Sequence, residues 1–213
     1  MGLTNCHRIE TIPRTLCYFS HMPKPSHRRR SFRSSTHAAQ RIFNTEMNES
    51  DAYQHIQTLQ EPFILLIDGV QDPHNLGACL RSANAAGVDL VLAPQKGTTG
   101  ITETVRNIAC GGADHIPYVQ VGNLNRALEK LKAMDIWIVG TGDEESQLLY
   151  EVDLKGRLAF VMGSEARGLR QKVAEKCDFL VRIPMLGQVD CLNLSVATGV
   201  CLYEAVRQRQ QYE

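Results

Sequence analysis

Three short segments of this sequence carry the residues whose types and spacing can do chemistry. The first is Asp68-Gly69-Val70-Gln71-Asp72-Pro73-His74-Asn75-Leu76-Gly77, followed by Arg81. The second is Gly163-Ser164-Glu165-Ala166-Arg167-Gly168. The third is Ile183-Pro184-Met185-Leu186-Gly187, followed by Cys191-Leu192-Asn193-Leu194-Ser195. Gly163 and Gly168 bracket a turn in which backbone can approach a ligand closely, and a helix start after such a turn offers free N–H groups. Pro184 stops a hydrogen-bond ladder. Read singly, each feature is also an ordinary structural one: a strand-to-helix turn, a ladder stop, or helix caps at Asn193 and Ser195. Asn75 and Arg81 lie six residues apart, about 240° around a helix, and share a face only if Asn75 sits in the preceding loop. Neither the glycine fingerprint of dinucleotide-binding folds nor a P-loop is present.

These segments need elements to hold them. Phe63-Ile64-Leu65-Leu66-Ile67 is a continuous apolar run, as expected of a strand buried on both faces. Further strands are expected at 89–93, 116–121, 136–140, 158–162 and 179–183. Between them, a helix is expected over Leu76–Ala86, closed by Gly87. Leu124, Ala127, Leu128, Leu131 and Met134 recur at helical spacing behind a capping Asn123. Leu169 to Cys177 reads as a short helix and Leu192 to Gln210 as a final one. Strands alternating with helices give a parallel α/β sheet, and each reactive segment falls at a strand's carboxyl end, where such sheets bind ligands.

Composition narrows the class. The chain has 213 residues, with 23 Lys+Arg against 23 Asp+Glu. That neutrality joins two unlike pieces. Residues 1–50 hold eight basic and three acidic residues, a net of +5; the remaining 163 hold 15 basic and 20 acidic, a net of −5. The stretch Ser26-His27-Arg28-Arg29-Arg30-Ser31-Phe32-Arg33 is basic and acid-free. It reads as an RNA-binding arm, an organelle transit peptide, or an irregular leader. Residues 1–50 are therefore expected to be a basic extension, 51–61 a linker and 62–213 one domain. No apolar run is long enough to span a bilayer and no secretory signal is evident. The seven Cys form no paired spacing, which suggests free thiols in a reducing, cytoplasmic setting and no structural metal.

In combination the three segments closely resemble the three signature motifs of the SpoU (TrmH-like) branch of the SPOUT RNA methyltransferases. The matching residues are Asp72-Pro73-His74-Asn75-Leu76-Gly77 with Arg81, then Val161-Met162-Gly163-Ser164-Glu165 with Gly168, then Ile183-Pro184-Met185 with Gly187, Leu192-Asn193, Ser195 and Ala197. The resemblance covers about residues 60–210, and its wording is most similar to members that methylate a guanosine ribose in large-subunit rRNA.

This resemblance implies an α/β domain with a C-terminal trefoil knot, a rare exception to unknotted topology. It implies S-adenosyl-L-methionine held by Gly163, Glu165, Gly168, Ile183, Met185, Cys191, Leu192 and Asn193. It implies a homodimer, and a catalytic group of Arg81, Asn75, Glu165 and Asn193. The family's arginine is taken to activate the ribose 2′-oxygen. A guanidinium donates hydrogen bonds and does not accept them, so orienting a phosphate and stabilising an alkoxide is the alternative role. Arg81, Arg106, Arg28, Arg29 and Arg30 are the candidate contacts to RNA.

Two departures stand out. Cys191 occupies a position that is often Ser in the family, and a thiol is the weaker donor. Residues 1–50 are too short for the compact RNA-binding domain that usually precedes this type of catalytic domain. Rival readings are a cofactor- and RNA-binding module with weak catalysis, a tRNA 2′-O-methyltransferase, and a cysteine hydrolase using Cys191 with His74 or His115.

Overall fold

The computed structural model describes residues 47–142, 146–164 and 167–210. Arg28, Arg29, Arg30 and Glu165 lie outside the described residues.

Seven strands form one sheet: β1 (Phe63–Asp68), β2 (Leu90–Pro94), β3 (Tyr118–Val121), β4 (Trp137–Thr141), β5 (Gln147–Leu148), β6 (Leu158–Gly163) and β7 (Phe179–Arg182). Their order is β3-β2-β1-β6-β4-β7-β5, and every pairing is parallel. β1 shows why an unbroken apolar run is required at the centre. Phe63, Leu65 and Ile67 point into one core, while Ile64 and Leu66 point into the other. The six expected strands all form. β5 is additional, a two-residue edge strand.

The first core is roofed by α2 (Pro73–Ala85), α3 (Glu103–Ala109), α4 (Gly112–His115) and α7 (Leu194–Arg209). The second is roofed by α1 (Glu49–Thr58), α5 (Leu124–Lys132) and α6 (Gln171–Ala174). α5 behaves as its spacing predicts: Leu124, Ala127, Leu128 and Leu131 are buried, and the Asn123 side chain accepts from the Asn125 and Arg126 amides. The linker stretch differs from expectation, because Glu49–Thr58 is a helix capped by Asn48, with Ala52, Tyr53 and Ile56 buried.

α2 also starts earlier than expected. Asp72 caps it and Pro73 takes the first turn, where a missing N–H costs nothing. It ends as expected at Gly87, whose φ is +75°. The Gly87 amide donates to Asn84 and the Val88 amide to Ala83, so the last carbonyls are satisfied. Trp137 is the exception among the apolar strand residues. It opens β4, is 55% exposed, and packs on Phe179 with ring centroids 5.6 Å apart and the rings tilted by 39°. No helix among the described residues is long and apolar enough to cross a membrane.

Candidate functional site

The carboxyl ends of β4, β6 and β7 open into a cleft of about 890 Å³. Thr141 and Gly142 line it from β4, and Gly163, Ser164 and Gly168 from β6. Ile183, Met185, Gly187, Cys191 and Leu192 line it from the segment after β7, and the start of α7 closes it with Leu194 and Ala197.

Backbone geometry accounts for the glycines. A Cβ on Gly163 would lie 2.3 Å from the Gly168 carbonyl carbon and 2.4 Å from the Leu169 nitrogen. No side chain fits there. Gly168 has φ +62°, which favours glycine. Ser164 and Gly168 exchange backbone hydrogen bonds of 3.0 and 2.8 Å, closing the turn. Two polar ties fix it to the sheet. The Gly163 amide donates to Thr141 Oγ1 at 3.3 Å. Arg170, just beyond the turn, donates to the Asp68 carboxylate through its backbone amide at 3.3 Å, through Nε at 3.1 Å and through Nη2. The Asp68 side chain is 1% exposed at the end of β1, so this pair joins the first motif to the second.

The third motif meets the first through Asn193. Its Oδ1 caps α7 by accepting from the Ser195 amide at 2.9 Å and the Val196 amide at 3.4 Å. Its Nδ2 donates to Asn75 Oδ1 at 2.9 Å. Asn75 sits within the first turn of α2 and not in the loop before it. By helical geometry it therefore lies on a different face from Arg81. Arg81 is exposed, donates to Cys110 Sγ at 3.3 Å, and is not among the residues lining the cleft. Arg106 pairs with Asp114 on the surface of α3 and α4.

Six of the expected cofactor residues thus share one cleft: Gly163, Gly168, Ile183, Met185, Cys191 and Leu192. Asn193 stands next to it. Sequence reasoning missed Thr141 and Gly142, although the Val139-Gly140-Thr141-Gly142 end of β4 is glycine-rich at a strand's carboxyl end. It also left Arg167 unassigned, and Arg167 lines the cleft. Neither His74 nor His115 lines the cleft that holds Cys191, and His74 instead pairs with Asp72 at 3.1 Å. That geometry gives no support to a cysteine hydrolase. The Cys177 thiol, packed behind Gly140, is pushed up to about 12 by burial and by the neighbouring Asp178, so it is no ready nucleophile. Among the described residues no group of three or more His, Cys, Asp or Glu is placed to hold a metal.

A parallel sheet covered on both faces, with a ligand cleft beyond its carboxyl edge, defines an α/β ligand-binding domain. The model of the SpoU rRNA Methylase family matches residues 62–203, and the chain belongs to that family. It is 53% identical over 156 residues to the 23S rRNA (guanosine-2′-O-)-methyltransferase RlmB of Bordetella pertussis, covering 73% of this chain and 64% of that protein. The chain therefore spans less than two thirds of that relative. The AdoMet-bound rRNA methyltransferase from Sinorhizobium meliloti superposes with a TM-score of 0.68 at 29% identity, covering 73% of this chain and 61% of that one. The SpoU methyltransferase AviRb from Streptomyces viridochromogenes, in complex with AdoMet, gives 0.68 at 26% identity, covering 73% and 63%.

Proposed function

We propose that this chain is an S-adenosyl-L-methionine-dependent RNA 2′-O-ribose methyltransferase acting on a guanosine of large-subunit rRNA. The observation that carries the reading is the cleft in which the second and third motifs meet at the carboxyl edge of the sheet. The cofactor fits it. A volume of about 890 Å³ lies in the range of small-molecule sites. The wall mixes apolar side chains (Met162, Leu180, Ile183, Leu192) with glycine backbone at Gly163, Gly168 and Gly187. Gly163, Gly168, Ile183, Met185, Cys191 and Leu192 would hold it, with Asn193 next to the cleft; Glu165 joins the set from its place in the second motif. When bound, S-adenosyl-L-methionine supplies an activated methyl group for the ribose 2′-oxygen.

The chain's own residues bind, orient and exclude water. Arg81 donates to a substrate phosphate and stabilises the negative charge developing on the 2′-oxygen. Asn75 acts at one remove, holding Asn193 and with it the start of α7. The working unit is a homodimer: Val196 and Tyr203 on α7 are each 51% exposed, and Leu186 and Val189 in the segment after β7 are 97% and 64% exposed. The active site lies beside that interface, which brings Arg81 to a cleft it does not line within one chain. The C-terminal segment is threaded as a trefoil knot, and residues 62–213 form the catalytic domain, with α1 (Glu49–Thr58) packed on its second core and the basic stretch preceding that helix in sequence. Arg28, Arg29 and Arg30 neutralise RNA phosphates, Arg106 does so where a phosphate displaces Asp114, and the protein works in the cytoplasm.

The position of Arg81 outside the cleft favours one second reading, a cofactor- and RNA-binding module with weak catalysis. Incubating the full chain with methyl-labelled S-adenosyl-L-methionine and either large-subunit rRNA or tRNA decides. Label on one guanosine ribose of the rRNA is expected. Label on tRNA alone reassigns the substrate, and calorimetric cofactor binding without label in either RNA leaves the binding module.

A further inference from the structure

The turn between α3 and α4 presses on α2 at Arg81. A Cβ on Gly112 would lie 3.0 Å from Arg81 Cα and 3.1 Å from the Leu80 carbonyl oxygen. On the same seam, a Cβ on Gly77 would lie 2.7 Å from Ile108 Cβ. Helix backbones meet closely there because glycine lets them, and the turn is seated firmly under the arginine.

Cys110 begins that turn with φ 48° and ψ 47°. This is the left-handed region, which L residues with a Cβ rarely adopt and which glycine or asparagine normally fills. The next residue, Gly111, is also at positive φ, +88°. The backbone at 110 therefore favours glycine, and the chain carries a thiol instead. That thiol makes two contacts. Sγ donates to the Asn107 carbonyl at 3.6 Å and accepts from Arg81 Nη1 at 3.3 Å. With the S–H directed at Asn107, a sulfur lone pair is left for the guanidinium.

The chemistry of that acceptor matters. Arg106, close by on α3, is held by a carboxylate, Asp114. A carboxylate forms a charge-assisted pair and competes with any anionic ligand for the guanidinium. A thiol is a weak acceptor. It restricts where the guanidinium points and leaves its charge for a phosphate or an alkoxide. We infer that Cys110 is a positioning residue for Arg81, a left-handed thiol that aims the guanidinium without neutralising it. The inference rests on the proposed methyl transfer for its kinetic consequence and on the Arg81–Cys110 geometry for the contact itself.

The test uses Cys110→Gly, Cys110→Ser and Cys110→Asp in the full chain. Glycine relieves the left-handed backbone, so Cys110→Gly is expected to melt at least as high as the wild type. Its kcat is expected to fall about ten- to a hundredfold, as for a misaimed group, with unchanged cofactor Kd. Serine both donates and accepts, and is expected to restore most of the rate. Aspartate is expected to lose more than glycine and to raise KM for RNA. A merely structural role predicts that activity follows stability, so Cys110→Gly at wild-type kcat overturns the inference. The contact is read separately from the ¹⁵N side-chain resonances of Arg81. Slow guanidinium rotation in the wild type and fast rotation in Cys110→Gly support it, and equal rotation in both overturns it. Wild-type protein with an ordered Arg81 and no methyl transfer would instead sink the proposed reaction.

Discussion

Asn75, in the first turn of α2, and Asn193, the cap of α7, share a hydrogen bond of 2.9 Å across 118 residues of sequence. One carboxamide thereby serves two purposes. Its oxygen caps α7, and its nitrogen ties that cap to the first motif. A second rung follows about one turn along, where Cys79 Sγ lies 3.5 Å from Thr198 Oγ1. The first and third motifs are therefore coupled through helix packing before any ligand enters.

Asn193→Ala removes both the cap and the donor. A lost cap costs about 1 kcal/mol, and a buried carboxamide losing a partner costs about 1–3 kcal/mol more. Asn75 is only 8% exposed, so solvent does little to replace the lost bond. Asn193→Asp keeps the cap and loses only the donor to Asn75, so it should cost less than Asn193→Ala. Urea unfolding of both variants and of the Asn75→Ala/Asn193→Ala pair measures this. Strict additivity of the two alanine changes would show that the bond contributes nothing.

Gly163→Ala should destabilise the protein by about 1–3 kcal/mol or more, because overpacking here displaces backbone. The clash is 2.3 Å from the Gly168 carbonyl carbon. Calorimetric affinity for S-adenosyl-L-methionine should fall with it. Gly187→Ala is the control within the same cleft: its Cβ would meet nothing within 4 Å. An unaltered melting temperature for Gly163→Ala would refute the close approach.

The sequence made some of this legible and hid the rest for physical reasons. β1 and β6 are legible because burial on both faces demands an unbroken apolar run. Asn123 and Asn193 are legible as caps because a short carboxamide before an apolar helix has few other uses. The start of α2 was signalled by Asp72-Pro73, a cap followed by a first-turn proline, yet those residues also carry the motif and read as loop. α3 and α4 have no useful periodicity at seven and four residues. They are held by Gly77 against Ile108 and Gly112 against Arg81, and such contacts depend on a partner surface distant in sequence. The same holds for the Arg81–Cys110 contact and for Thr141 in the cleft wall.

Arg170→Met should leave the Asp68 carboxylate buried and short of its donors. Breaking such a pair costs about 3–5 kcal/mol when both partners are buried. Arg170 is 58% exposed, so about 1–3 kcal/mol is the expectation here. Asp68→Asn should cost less, since it removes the charge along with part of the pairing. Thermal melts rank the two. Weaker cofactor binding by Arg170→Met is also expected, because Arg170 anchors the turn that follows Gly163. Wild-type affinity would detach that anchor from the site.

Arg81→Ala should abolish methyl transfer and leave calorimetric cofactor binding within about twofold, because it removes contacts to the RNA and the transition state and none to the cofactor. Its guanidinium does not line the cleft. A large drop in cofactor affinity would give Arg81 a structural role instead.

Alkaline pH should unfold this protein through buried groups that do not themselves line the cleft. Burial pushes the Cys201 thiol from 9.0 up to about 12. Burial, with Asp178, does the same to Cys177, and burial lifts Tyr118 from 10.0 to about 12. The folded protein thus keeps protons that the unfolded chain releases as pH rises past about 9, and stability falls wherever the unfolded state binds fewer protons. Stability is therefore full below about pH 9 and is lost progressively towards pH 12. Each thiol contributes a slope of up to about 1.4 kcal/mol per pH unit in that window. Urea midpoints at pH 8, 9.5 and 10.5 measure the decline, and Cys201→Ala should start lower at pH 8 yet decline less steeply. An equal slope in that variant would remove Cys201 from the alkaline transition.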